Sequence, residues 1–141
     1  CVDTTTLAAC VLQTTDPGFV YHLTTNEKVT SKPTIFNNTL FISKYVPDPN
    51  NPCVPGTASQ FAADYSSGCK LQDIELGKGV ATAATFYKGS MYLGISGVAE
   101  DETALDTVDG WEMTGNIIRG IPPAGRTSSS TPQIKSWRQL D

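Results

Sequence analysis

Apolar and polar positions along this chain form short apolar runs broken by pairs of turn-forming residues. Two stretches repeat one pattern, and they align without a gap at an offset of 51 residues, 29–42 on 80–93. Thr34, Ile35 and Phe36 fall on Thr85, Phe86 and Tyr87. Thr39, Leu40, Phe41 and Ile42 fall on Ser90, Met91, Tyr92 and Leu93. Each copy is an apolar strand, two turn residues and a second apolar strand. The turn pairs are Asn37-Asn38 and Lys88-Gly89. Asn and Gly tolerate the positive φ that two-residue primed turns require, so each copy is expected as a tight β-hairpin. The flanking runs do not alternate cleanly, which predicts strands buried on both faces.

Further strands are expected at 18–23, 59–65 and 69–76, with polar bends at 24–28 and 77–79 and a turn at Ser66-Ser67-Gly68. One unit then reads strand, hairpin, strand, turn over about fifty residues, the size of a β-propeller blade. The expected fold is all-β, made of antiparallel blade-like repeats: about two propeller-type blades in an incomplete propeller. A small β-sandwich is the alternative. The expected organisation is a single β domain over 1–141. Its blade-like units cover about 18–68 and 69–98, with a loop-rich 99–133 and a closing strand at 134–141. Two blades cannot close a propeller, and their faces and edges need covering. A longer chain, other subunits, or packing of the two units on each other would each supply that cover.

Composition narrows the setting. The 141 residues are 39% hydrophobic, enough for a packed core, and only 17% charged. The net charge of −4 argues against a nucleic-acid partner. No apolar run approaches the ~20 residues that span a bilayer. The n- and h-regions of a signal peptide are absent, which reads as a cytosolic or already processed chain. Cys1, Cys10, Cys53 and Cys69 form an even set outside any CxxC spacing, so two disulfides and an oxidising compartment are expected. The sequence-local pairing is Cys1–Cys10 with Cys53–Cys69, one of three possible. Membrane anchoring is expected only if Cys1 is acylated.

Candidate chemistry is sparse. His22 is the only histidine, which removes most metal sites and most Ser-His or Cys-His machinery. Asp64, Asp73 and Glu75 are expected on strands, but nothing singles out a glycosidase-like pair. The chain is therefore expected to be no enzyme and to need no cofactor; a quinoprotein-like or glycan-active propeller enzyme is an alternative. The proline-rich stretch 45–57 is expected as a surface insertion, either a connector or a contact loop displaying Tyr45, Pro47, Asp48, Asn50 and Asn51. The acidic segment 99–109 offers Asp101, Asp106 and Asp109 as weak calcium ligands, without the spacing of an EF-hand. A solvated acidic loop fits it as well. Asn37 fits an N-x-[ST] sequon at a hairpin tip.

The residues carry a resemblance. Gly18-Phe-Val-Tyr-His-Leu, then the run from Asn26 to Ile42, then Phe61-Ala-Ala-Asp-Tyr-Ser-Ser-Gly resemble the last blades of PilY-type proteins, whose pattern is "GWY-x-L…GEKV…" followed by "YALD-x-x-TG". The closing Lys135-Ser-Trp-Arg-Gln-Leu is similar to that family's "SWR" terminus. The resemblance covers most of 18–95 and the final seven residues. It implies a carboxyl-terminal propeller at the tip of type IV pili, working in pilus assembly, adhesion or surface sensing. The implied location is extracellular or on the cell surface. The implied partners are pilin-like subunits, the rest of a PilY-like chain, or further copies of this one; a self-assembling filament subunit is the alternative. The family's Asp-rich calcium loop is missing, as is its amino-terminal adhesion region.

Overall fold

The computed structural model describes residues 19–97 and 109–125. It is all-β, with antiparallel sheets and no helix among the described residues. The first sheet contains β1 (Lys28–Val29), β2 (Thr34–Phe36), β3 (Thr39–Val46), β4 (Thr57–Asp64) and β5 (Lys70–Lys78). The second contains β6 (Thr85–Tyr87), β7 (Ser90–Gly94), β8 (Glu112–Thr114) and β9 (Ile117–Gly120).

Both expected hairpins form at the expected turns. Asn37 and Asn38 have φ of 47° and 57°; Lys88 and Gly89 have 48° and 81°. Two successive positive φ values define the type I′ turn, whose twist matches that of the flanking strands. The registers are equivalent, Phe36 opposite Thr39 and Tyr87 opposite Ser90. The repeat extends to a hydrogen bond. Upstream of each hairpin the edge strand breaks, and a hydroxyl stands in for the missing carbonyl. Ser43 N donates to Ser31 Oγ (3.1 Å), and Gly94 N donates to Thr82 Oγ1 (2.9 Å). Both donor and acceptor are related by the same 51-residue offset.

The sheets differ in connectivity. In the first, β1 and β2 share one edge of β3, followed by β4 and β5, an antiparallel meander. β5 pairs with β4, so this sheet runs on to Lys78. In the second the order is β6-β7-β9-β8, with β9 inserted between β7 and the outer β8. The β8–β9 hairpin turns at Gly115-Asn116, with Gly115 at φ 60°. Glycine at the first turn position is the mark of a type II′ turn.

Three expectations need correction. The described part of the strand expected at 18–23, residues 19–23, is not a strand: it joins no ladder, and Val20, Tyr21 and Leu23 are exposed. Their composition suits a strand, but they pair with no strand of either sheet. Burial on both faces does not hold along the hairpin strands: Ile35 of β2 is exposed, Leu40 and Ile42 of β3 are half-buried, and the long run of successive buried positions is in β4. In β7, Met91 and Leu93 are buried while Ser90, Tyr92 and Gly94 are half-buried, because the second sheet packs on one side only. Finally, 109–125 is not plain loop, since it holds β8 and β9. The closing strand at 134–141 and most of 99–133 lie outside the described residues.

The two sheets share one core. Phe41, Ala58, Ala62, Ile74 and Leu76 from the first meet Met91, Leu93, Ile95 and Ile118 from the second, with Trp111 beside them. Phe36 and Phe86 stack at 4.3 Å with an interplanar angle of 6°, and Phe41 meets Phe86 at 4.9 Å. The Ser43 hydroxyl lies 2.6 Å from the Thr82 carbonyl and 3.0 Å from Gln60 Oε1, a polar tie between the sheets.

Candidate functional site

Sequence reasoning did not anticipate the main polar cluster, which lies on the face of the first sheet away from the core. Lys44 projects there from β3 and is 3% exposed. Its Nζ is 2.6 Å from Glu27 Oε1 and 2.9 Å from Asp73 Oδ2. The ammonium also sits 5.4 Å from the Phe61 ring and 5.6 Å from the Tyr21 ring, within cation–π range. Tyr21 packs on Phe61 with centroids 4.2 Å apart. Strands β3 and β5 place Lys44 and Asp73. Residues 19–27 lie across the sheet and deliver Tyr21 and Glu27, whose loop is closed by Thr24 N donating to Glu27 Oε2 (3.0 Å).

Charge in this cage follows from the geometry. Burial pushes the Lys44 ammonium towards the neutral form, but hydrogen bonds to Glu27 and then Asp73 outweigh it and hold its pKa above the ordinary value. Burial likewise favours neutral Glu27, yet the bonds from Lys44 and the Thr24 amide leave its pKa below the ordinary carboxylate value. Burial raises the Tyr21 pKa.

The outward face of the second sheet is open. Thr85, Tyr92, Arg119 and Glu112 form one cross-strand row over all four strands. Arg119 pairs with Glu112 and donates from Nε to Ser90 Oγ (3.3 Å). The hydrogen bond to Glu112 raises the Arg119 pKa. Tyr87, Ile117 and Ile121 are exposed around this row. A shallow pocket of about 290 Å³ opens between Ser90, Glu112, Arg119, Trp111 and Ile121. The Trp111 indole lies flat over Gly120, where a Cβ would come within 2.5 Å of it.

The expected contact-loop residues are brought together, and they mostly shape the loop itself. Tyr45 is half-buried at the end of β3, and its hydroxyl accepts from Gly56 N (3.0 Å), closing the loop. Asp48 Oδ1 accepts from Asn50 N and Asn51 N, and Asn51 Oδ1 accepts from Cys53 N. Pro47 is half-buried; Asn50 and Asn51 are exposed. Replacing Tyr45 with Phe is expected to cost about 1 kcal/mol, the loss of one hydrogen bond. Faster amide exchange at Gly56, with β4 unchanged, is the accompanying signature.

The Cys53–Cys69 bridge does not form. Cys53 is a free, exposed thiol on this loop, whereas Cys69 is buried beside Gly68, which packs against the Phe19 ring. Cys69 is not a free thiol. Cys1 and Cys10 lie outside the described residues. So do the calcium candidates Asp101 and Asp106, while Asp109 is exposed in the turn before Trp111. No three His, Cys, Asp or Glu side chains converge on a metal position among the described residues. Asp64 is fully buried, and its Oδ1 accepts from the amides and hydroxyls of Ser66 and Ser67, fixing the β4–β5 turn. At the Asn37 sequon, Thr39 is buried, with its hydroxyl 3.1 Å from the Pro123 carbonyl.

Comparison with protein-family models, with curated proteins and with solved structures returned no match.

Proposed function

We propose that this protein is a non-catalytic component of the cell surface or extracellular space, acting with type IV pili or a related filament in adhesion or pilus assembly. The observation that carries the reading is the contrast between the two sheets. The central strand β4 of the first sheet is buried along most of its length, whereas the second leaves Tyr87, Ile117 and the Arg119–Glu112 pair open on one face beside the half-buried Tyr92. Mixed aromatic, apolar and charged residues on a rigid sheet suit a protein interface. The meander of the first sheet and the repeated hairpin support reading the units as propeller-type blades related to PilY-like proteins. The inserted β9 favours a sandwich-like pair instead. The buried Cys69, which is not a free thiol, fits an oxidising compartment. The partners in this reading are pilin-like subunits, the rest of a PilY-like chain, or further copies of this chain. Fractionation of the source cells tests the location, with the protein expected in the sheared surface fraction; recovery only from cytosol overturns the reading. Arg119→Glu is expected to abolish co-purification with filaments while leaving the fold intact.

A further inference from the structure

We propose that Lys44 and Asp73 condense to an intramolecular isopeptide bond, with Glu27 relaying the proton. The inference goes beyond the surface role above and does not depend on it. Three features of the cage point to it. First, the Lys44 nitrogen already touches the Asp73 carboxylate, 2.9 Å from Oδ2. Second, a further carboxylate, Glu27, sits 2.6 Å from the same nitrogen with its side chain only 7% exposed. One ammonium cannot neutralise both, so a proton acceptor remains once the lysine is matched with Asp73. Third, the rings of Tyr21 and Phe61 wall the nitrogen and keep bulk water off it. A nucleophile, an electrophile and a proton shuttle held in contact by rigid strands is the arrangement in which proximity replaces an external catalyst.

The step balances without a co-reactant. The ion-paired form dominates at rest, and the step proceeds from the minor tautomer in which Glu27 has taken one proton from the Lys44 ammonium, leaving an amine whose lone pair attacks Cγ of Asp73. The Nζ–Cγ bond forms, and one Cγ–O bond of the carboxyl breaks. The departing oxygen receives the proton held by Glu27 and a second from the nitrogen, and leaves as water. The ammonium and carboxylate become a neutral amide, and Glu27 ends as it began, a carboxylate. The ion-paired cage is the state before this step. The product joins β3 to β5 across β4, a staple between residues 29 apart in the chain.

Intact mass of the reduced, denatured full chain tests this directly. The expected mass is one water below that of the sequence. Tryptic mapping should show no cleavage after Lys44 and a branched peptide containing both Lys44 and Asp73. Glu27→Gln is expected to retain the full sequence mass, and Asp73→Asn to lose ammonia in place of water. The proposal fails if the wild-type chain carries its full sequence mass. It fails equally if a water loss maps elsewhere, or persists in Lys44→Arg.

Discussion

Replacing Lys44 with methionine is expected to destabilise the folded chain by about 3–5 kcal/mol, the range for removing one partner of a buried ion pair. The cost arises from what is left behind. Glu27 would keep its buried position without the cation that balances it, and an uncompensated charge in low dielectric is expensive. Asp73 is partly solvated, with 29% of its side chain exposed, and suffers less. Relative to the ion-paired chain before any isopeptide forms, the double variant Lys44→Met with Glu27→Gln should therefore recover most of the loss. Urea unfolding of the four chains in the cycle measures this as shifts in midpoint at constant slope. The same cage sets a pH window. Glu27 has a lowered folded pKa, so its contribution is present above the unfolded value of about 4.3 and is lost as pH falls through the folded value. Lys44 has a raised folded pKa, so its contribution is present below about 10.4 and disappears as pH rises through the folded value. Stability from this cluster should be flat between these limits, and Lys44→Met should remove the acid limb due to Glu27. A formed isopeptide would remove the Lys44 titration altogether.

Phe41→Ala is the second large effect, expected at about 3–5 kcal/mol for truncating a large buried ring. Phe41 is 1% exposed and belongs to the first sheet, yet its ring meets Phe86 of the second. Truncation opens a cavity at the junction of the sheets, where Phe36 and Phe86 also stack. Packing between sheets should weaken more than pairing within either one. Amides of β7 and β9 are thus expected to lose protection together with those of β3. Ile35→Ala is the matched control, since Ile35 is 45% exposed on the neighbouring strand and should shift stability by no more than about 0.5 kcal/mol. Equal losses from the two variants would mean the shared core is not what holds the sheets together.

The two hairpins were legible in sequence because their signal is local. Asn37-Asn38 and Lys88-Gly89 accept positive φ, and the apolar runs around them repeat in register. The third hairpin was missed although Gly115-Asn116 between Met113 and Ile117 carries a similar signal. It falls outside the 51-residue offset, and the surrounding glycines and prolines gave 109–125 the character of a tail. Residues 19–23 misled in the opposite direction. Their side chains suit a strand, but a strand also needs backbone partners, which side-chain composition does not report. The Lys44 cage was invisible for a related reason. Glu27, Lys44 and Asp73 come from three separate segments, and only the pairing of β3, β4 and β5 brings them together. Cysteine spacing suggested the wrong bridge because proximity in sequence says nothing of burial, and Cys53 and Cys69 differ completely in burial.

The broken edge strands have a consequence for colloidal behaviour. Where a continuous edge would show a row of free amides and carbonyls, this chain has β1 and β2 split by residues 30–33, and β6 only three residues long. At each break a hydroxyl, from Ser31 or Thr82, already occupies the amide of the next strand. A foreign strand docking there would find only two or three residues in register before the ladder failed. Cross-β growth needs about six or seven. The duplicated hydroxyl thus works as a stop against fibril templating on one edge of each sheet, and leaves the opposite edge of the first sheet, the nine-residue β5, as the side open to strand addition.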